Sequence, residues 1–101
     1  MNDEKIVLMA RLKVKKEMVE EAKKAALALV EVSRTETGCV NYDLHQAIDD
    51  ETVFVWHEVW ANKSALDEHF AQPYFTDFFA KVEEVAETPP QITLTKKISK
   101  I

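Results

Sequence analysis

Cysteine and positive charge are scarce in this sequence, and each shortage argues against a class of protein. Cys39 is the only cysteine, so no disulfide can form within the chain, and a lone thiol fits the reducing cytoplasm. The 13 lysine and arginine residues are scattered among 18 acidic ones, and the net charge is -5. Because no positive stripe is available to neutralise phosphates, we expect no nucleic-acid partner.

Long apolar runs are also missing. The longest ones, at residues 6–10 and 25–30, are far shorter than the roughly 20 residues that a helix needs to span a bilayer. The chain starts with Met1-Asn2-Asp3-Glu4, which is acidic where a signal peptide would be basic. We therefore predict a cytoplasmic protein with no membrane anchor.

What the sequence does contain is enough apolar material for one core. Hydrophobic residues make up 47% of the 101 residues and charged residues 31%, close to the averages for soluble globular proteins. A chain of this length builds one domain rather than two. We therefore predict a single domain over residues 1–101.

The spacing of apolar residues predicts four strands and two helices, the second of them broken. The predicted strands are residues 6–14, 40–47, 52–60 and 91–98, and the predicted helical segments are residues 17–36, 63–70 and 74–86. Gly38, the only glycine, is expected in the left-handed conformation where the first helix ends. Pro73 interrupts the second helix. This order predicts an α+β fold of the ferredoxin-like βαββαβ type, with an antiparallel four-stranded sheet.

Two helices can cover only one face of such a sheet, yet both faces carry apolar residues. The first strand has Leu8 and Leu12 on one side and Val7 and Met9 on the other, and the third strand is apolar on both sides as well. A large bare apolar surface on a soluble protein usually marks an interface. We therefore predict a homodimer in which the sheet faces pack together.

Residues 53–70 concentrate the candidate functional side chains. Strand alternation places Trp56, Glu58 and Trp60 on one face and His57 on the other. The three histidines of the chain are therefore not expected to converge, and their spacing matches no compact ligand motif. We predict no metal site.

Three motifs, taken together, carry a resemblance to a known family. The motifs are Glu36-x-Gly38-x-x-x-Tyr42-x-Leu44, then Glu58-x-Trp60-x-Asn62-x-x-Ala65-Leu66-x-x-His69, and then Tyr74-Phe75 after Pro73. In these residues the chain resembles the antibiotic biosynthesis monooxygenase family of the dimeric α+β barrel superfamily, and the resemblance covers nearly the whole chain in element order. It implies a dimer of ferredoxin-like subunits whose sheets form a barrel, with a pocket in each subunit between sheet and helices.

The resemblance also implies a chemistry, which some relatives perform on quinols or polycyclic phenols with O₂ and without metal, flavin or haem. The substrate is its own reductant, because its anion passes an electron to O₂, the radical pair recombines, and loss of water leaves a quinone. The protein must supply an apolar cavity, a base and hydrogen bonds to the anion. We therefore expect a small aromatic substrate and no cofactor.

The resemblance suggests roles for several of these residues and their neighbours. His69 is the candidate base because its ordinary pKa of about 6.5 lets it accept a proton at neutral pH, and Glu58 is either its orienting partner or the base itself. The expected substrate-binding residues are Trp60, Trp56, Tyr42, Tyr74 and Phe75. The structural alternatives are that His69 only hydrogen-bonds Glu58 or a backbone carbonyl, and that at least one tryptophan only packs in the core.

Two other functions stay open at this point. Some relatives isomerise small phosphorylated carbonyl compounds with a histidine at the place of His69, but a phosphate ligand favours a basic pocket, and Arg11 and Arg34 are the only arginines. A non-catalytic dimeric module that binds an apolar ligand is the other alternative. Haem-degrading relatives carry a histidine where this chain has Phe79, so haem degradation is disfavoured.

Overall fold

The computed structural model describes residues 4–100. The elements are β1 (Ile6–Lys13), a 3₁₀ turn (Lys16–Met18), α1 (Val19–Ser33), β2 (Cys39–Gln46), β3 (Val53–Trp60), α2 (Lys63–Phe70), α3 (Pro73–Val85) and β4 (Gln91–Thr95). The predicted ferredoxin-like α+β order is confirmed, and β4 ends three residues earlier than predicted. Residues 1–3, which entered the argument on export, lie outside the described part of the chain, as does residue 101.

The sheet is antiparallel throughout and has the strand order β2-β3-β1-β4. In its register Glu58 lies opposite Leu8 on β1 and opposite Tyr42 on β2. Side chains opposite each other on neighbouring strands share a face of the sheet. Leu8, Glu58 and Tyr42 therefore form one row across the face that the helices cover.

The two faces of the sheet differ in burial as the alternation of β1 and β3 predicts. Leu12, Phe54 and Trp56 are buried beneath the helices, where the core lies. On the opposite face Met9 is 46% exposed, and its partner His57 is half-buried. This second face, which we call the open face, combines Val7, Met9, Val55 and Val59 with polar residues such as Asn41 and Asp43.

The prediction for Gly38 is wrong. Helix α1 ends at Ser33, well before the glycine, and Gly38 does not have a left-handed backbone. A Cβ atom at position 38 would instead collide with the Cβ of Ala65 on α2. Glycine is therefore required because the chain leading into β2 passes directly against α2.

The break between α2 and α3 positions the candidate residues. Asn62 caps α2, since its side chain accepts a hydrogen bond from the Ala65 amide at 2.8 Å, and Pro73 stands in the first turn of α3, where it needs no amide hydrogen. The predicted interruption at Pro73 is confirmed. The last turn of α2, with His69, and the first turn of α3, with Tyr74, are thereby brought side by side.

Among residues 4–100, no helix combines the length and the apolar character that crossing a membrane requires.

Candidate active site

A small cavity of about 50 Å³ lies between the helical face of the sheet and α3. Aliphatic and aromatic side chains make most of its wall, and the rings come from Tyr42, Trp56, Phe70, Phe75, Phe78 and Phe79. Among residues 4–100, Glu58 is the one acidic residue in this wall, and the exposed Arg11 is the one basic residue. The cavity thus combines an apolar lining with a single carboxyl group, which is the chemical character of small-molecule sites, while its volume is smaller than the roughly 300 Å³ at which such sites begin.

Glu58 is only 4% exposed, and this burial dominates its electrostatics. Removal from water raises the pKa of Glu58 to about 7, and the nearby charge of Glu36 acts in the same direction. The indole of Trp60 opposes the rise by donating a hydrogen bond from Nε1 to Oε1 at 2.9 Å. At neutral pH this carboxyl group is therefore divided between its acid and base forms, as a group that exchanges protons with a ligand should be.

Tyr42 faces Glu58 from the neighbouring strand and also lines the cavity. Its side chain is buried, and burial raises the pKa of the hydroxyl well above its ordinary value, with the charge of Glu58 contributing. The hydroxyl therefore keeps its hydrogen at neutral pH. This neutral phenol donates a hydrogen bond to the Glu58 carboxylate and so limits, together with the indole of Trp60, the rise in the pKa of Glu58.

His69 is 1% exposed and has a partner that the sequence did not indicate. Its Nδ1 lies 2.8 Å from Oε2 of Glu36, and the Tyr74 hydroxyl donates to the same oxygen at 2.5 Å. The predicted alternative, a bond from His69 to Glu58 or to a backbone carbonyl, is thus wrong in its partner. The other ring nitrogen, Nε2, is buried and has no hydrogen-bond partner among residues 4–100, at a cost of about 1–3 kcal/mol.

Aromatic rings surround the imidazole of His69. Its centroid lies 4.5 Å from Trp60, with the planes tilted by 31°, and 5.1 Å and 5.8 Å from Phe75 and Tyr42. Phe75 and Tyr42 line the cavity, whereas His69 does not. The imidazole therefore lies one layer behind the cavity wall.

The structure divides the predicted site residues into two layers. Glu58, Tyr42, Trp56 and Phe75 line the cavity itself. Trp60, His69 and Tyr74 do not line it, and Trp60 is completely buried, as core packing of one tryptophan predicts.

Glu36 is the residue that sequence analysis missed as a site residue. Its side chain is 11% exposed and accepts hydrogen bonds from both His69 and Tyr74. The signal was present, because Glu36 opens the first of the three motifs. Its function as the partner of His69 was hidden, because the two residues are 33 positions apart in the chain.

His57 lies on the opposite face of the sheet from the cavity. Nδ1 of His57 lies 3.4 Å from the side-chain nitrogen of Asn41 on the open face, away from Glu58, as the alternation predicts. Within the described range 4–100, no three His, Cys, Asp or Glu side chains are grouped so that they can hold a metal ion.

Comparison with known proteins decides the family. Residues 5–81 match the family model described as antibiotic biosynthesis monooxygenase. The chain belongs to this family. The antibiotic biosynthesis monooxygenase match covers the Glu36, His69 and Tyr74 cluster and the cavity wall except for Val82, Pro90 and Ile92, and it ends before β4.

Individual relatives are similar to this chain over most of its length. YcnE of Bacillus subtilis, provisionally named a monooxygenase, is 37% identical over 90% of this chain and 96% of its own length. The uncharacterised protein sll1783 of Synechocystis is 35% identical over 93% of this chain, which spans only 64% of that relative. The solved structure of Rv0793 from Mycobacterium tuberculosis superposes with a TM-score of 0.89 at 25% identity, covering 95% of this chain and 97% of that one.

Proposed function

We propose that this protein is a monooxygenase that oxidises a quinol or a related electron-rich aromatic compound with O₂, without metal, flavin or haem. The observation that carries the proposal is Glu58, a carboxyl group with a pKa of about 7 in a cavity lined mainly by apolar and aromatic side chains. Family membership and the provisional monooxygenase name of YcnE support the reaction class. The substrate class follows from the match between a proton acceptor and a ring-lined cavity.

The proposed reaction starts with proton transfer from an aromatic hydroxyl to the Glu58 carboxylate. The resulting phenolate gives one electron to O₂, and the radical pair joins through a new carbon–oxygen bond at a ring carbon that carries hydrogen. Protonated Glu58 returns its proton to the peroxide, giving a hydroperoxide. Loss of the ring-carbon proton then drives cleavage of the O–O bond, and the departing hydroxide takes up that proton as water. Overall, one phenol and one O₂ become one quinone and one water.

The remaining wall residues would stabilise the intermediates. The hydroxyl of Tyr42 donates to the ionised Glu58, and once Glu58 has taken the substrate proton this hydroxyl is the donor that we assign to the phenolate oxygen. Trp56 and Phe75 present rings to a planar ligand. Trp60, His69 and Tyr74 touch such a ligand only if rings of the wall move, so we assign them to the layer that supports the site.

We further propose that the protein forms a cytoplasmic homodimer through its open face. The half-buried Val7, Val55 and Val59 and the exposed Met9 supply the apolar area for packing against a second copy. The lone cysteine supports the reducing compartment. Association through this face leaves the helical side of each subunit free to enclose its own cavity.

An isomerase is the second candidate, because a carboxyl group with a pKa of about 7 can also move a proton next to a carbonyl. That reaction consumes no O₂. Arg11 is the only basic residue in the cavity wall, so a phosphorylated substrate matches the site poorly. Turnover of a small carbonyl compound under anaerobic conditions would favour this candidate, and ligand binding without any turnover would favour a binding module.

The decisive experiment is O₂ uptake by the purified full chain with menadiol and 1-naphthol, measured against autoxidation. We expect enzyme-dependent uptake that Glu58→Gln lowers by about 10²- to 10⁴-fold, since the amide keeps the shape but cannot take the proton. Glu68→Gln, an exposed change on α2, is the matched control and should keep full activity. Uptake no faster than autoxidation with either compound, or equal uptake by Glu58→Gln, would contradict the proposal.

A further inference from the structure

Glu36, His69 and Tyr74 form a second cluster, with His69 buried and the other two half-buried, that the proposed reaction does not yet use. They come from the loop after α1, the last turn of α2 and the first turn of α3. One carboxylate oxygen of Glu36 accepts from the Tyr74 hydroxyl at 2.5 Å and lies 2.8 Å from Nδ1 of His69. The same oxygen therefore ties two helices together.

The chemistry of the partners fixes the proton on the imidazole. A carboxylate can only accept hydrogen bonds, so the ring nitrogen that faces Glu36 carries the hydrogen. In the neutral ring Nε2 is then a bare acceptor. A hydrogen on Nε2 would meet no acceptor, because no residue in the range 4–100 offers this nitrogen a hydrogen bond.

The position of Nε2 points to a use beyond holding the helices together. The hydrogen bond that joins α2 to the loop needs only Nδ1 of His69. The other ring nitrogen, Nε2, is nevertheless a buried polar atom without a partner in the described residues. The rings of Tyr42, Phe70 and Phe75 lie against the imidazole, and all three also line the cavity. A proton acceptor is thus held directly behind the wall of the cavity.

We propose that Glu36 is a positioning residue which, braced by Tyr74, keeps the Nε2 of His69 available as a second proton acceptor for the ligand in the cavity. When a ring of the wall moves aside and a substrate hydroxyl or ring carbon reaches the imidazole, its proton passes to Nε2, the N–H bond forms there, and the electron pair of the broken bond stays on the substrate. The resulting imidazolium lies beside the Glu36 carboxylate, which offsets its charge. The inference rests on the proposed function for the nature of the proton donor.

The first test locates the proton by nitrogen NMR of isotope-labelled histidine in the full chain, with His45→Asn and His57→Asn used to assign the signals. We expect one tautomer, with hydrogen on Nδ1 of His69. In Glu36→Gln both tautomers should be populated, because an amide can face the ring with either its oxygen or its NH₂ group. Glu20→Gln, an exposed change on α1, is the matched control and should leave the spectrum unchanged. Hydrogen on Nε2 in the wild type would overturn the proposal.

The second test separates positioning from folding by kinetics with the substrate found by O₂ uptake. We expect Glu36→Gln to lower kcat by about 10- to 100-fold with KM nearly unchanged, and Tyr74→Phe to lower kcat less. Loss of activity that only follows a lower melting temperature, or an unchanged kcat in both variants, would overturn the inference while leaving the function of Glu58 intact. If the wild type consumes no O₂, the proposed function fails, and the NMR comparison still decides where the His69 proton lies.

Discussion

The indole Nε1 of Trp60 lies 2.9 Å from Oε1 of Glu58, in a hydrogen bond between two buried side chains of the same strand. Because the residues are two positions apart on β3, the alternation of the strand places both on the helical face. The indole stabilises the ionised carboxylate and so limits the rise in its pKa that burial causes. Trp60 therefore tunes the group that we propose as the base without touching the cavity.

Removing the indole donor should move the pH dependence of activity. In Trp60→Phe the carboxylate loses a hydrogen bond of the kind worth about 1.5–3 kcal/mol, so the pKa of Glu58 should rise by about 1–2 pH units. The base is active only when ionised, so the acidic limb of the kcat/KM profile should shift to higher pH by that amount. Trp56→Phe, which alters the cavity wall but keeps the indole donor, should change KM and leave this limb in place. An acidic limb that does not move in Trp60→Phe would contradict the assigned role.

The raised pKa of Glu58 also predicts how stability changes with pH. The folded state holds its proton up to a pKa of about 7, whereas the unfolded chain releases it near 4.5. The Glu58 carboxyl group therefore stabilises the folded state fully below about pH 4.5. This stabilisation, about 3 kcal/mol, is lost as the pH rises to about 7. Urea unfolding at pH 5 and pH 8 should show the loss in the wild type.

Two variants isolate the Glu58 contribution. Between pH 5 and pH 8 the free energy of unfolding should fall less in Glu58→Gln than in the wild type, and the difference should be most of the about 3 kcal/mol that the Glu58 titration contributes. Glu68→Gln is exposed on α2 and should follow the wild type. The same pH dependence in all three proteins would mean that Glu58 titrates normally.

The fold and one layer of the site follow from local sequence rules. Strand alternation predicts that Trp56 and Glu58 share a face and that His57 lies on the other, and the structure confirms it. The Pro73 break separates α2 from α3 as predicted, because the effect of proline on the backbone is confined to a few residues.

The second layer depends on contacts between distant segments. Glu36 meets His69 because the loop after α1 packs against α2, and no local spacing rule contains that contact. The prediction for Gly38 is wrong for the same reason. The rule for glycine at a helix end is local, whereas the close approach of Ala65 is what requires a glycine at this position. Sequence reasoning thus predicts which residues share an element, and packing decides which of them meet.

Gly38→Ala should destabilise the protein through that single contact. The added methyl group would collide with the Cβ of Ala65, and overpacking of this kind costs about 1–3 kcal/mol. The backbone of Gly38 is not left-handed, so conformational strain should add little. The double variant Gly38→Ala with Ala65→Gly should therefore be close in stability to Ala65→Gly alone. Additive losses in a urea-unfolding cycle of the four proteins would show that the collision is not the cause.

The open face gives a prediction about assembly. Met9 is 46% exposed there, and Leu27, on α1, is 50% exposed on the helical side. In the proposed dimer Met9→Lys buries an unpaired charge at the interface, so the dissociation constant should rise by about tenfold or more. Leu27→Lys places the same charge at a similarly exposed apolar position outside that interface, so it should leave the dissociation constant unchanged. Sedimentation equilibrium at micromolar concentration measures both. In a dimer formed through the open face, only the lysine introduced by Met9→Lys lies between the sheets. A wild-type monomer at these concentrations, or equal weakening by the two changes, would therefore exclude association through this face.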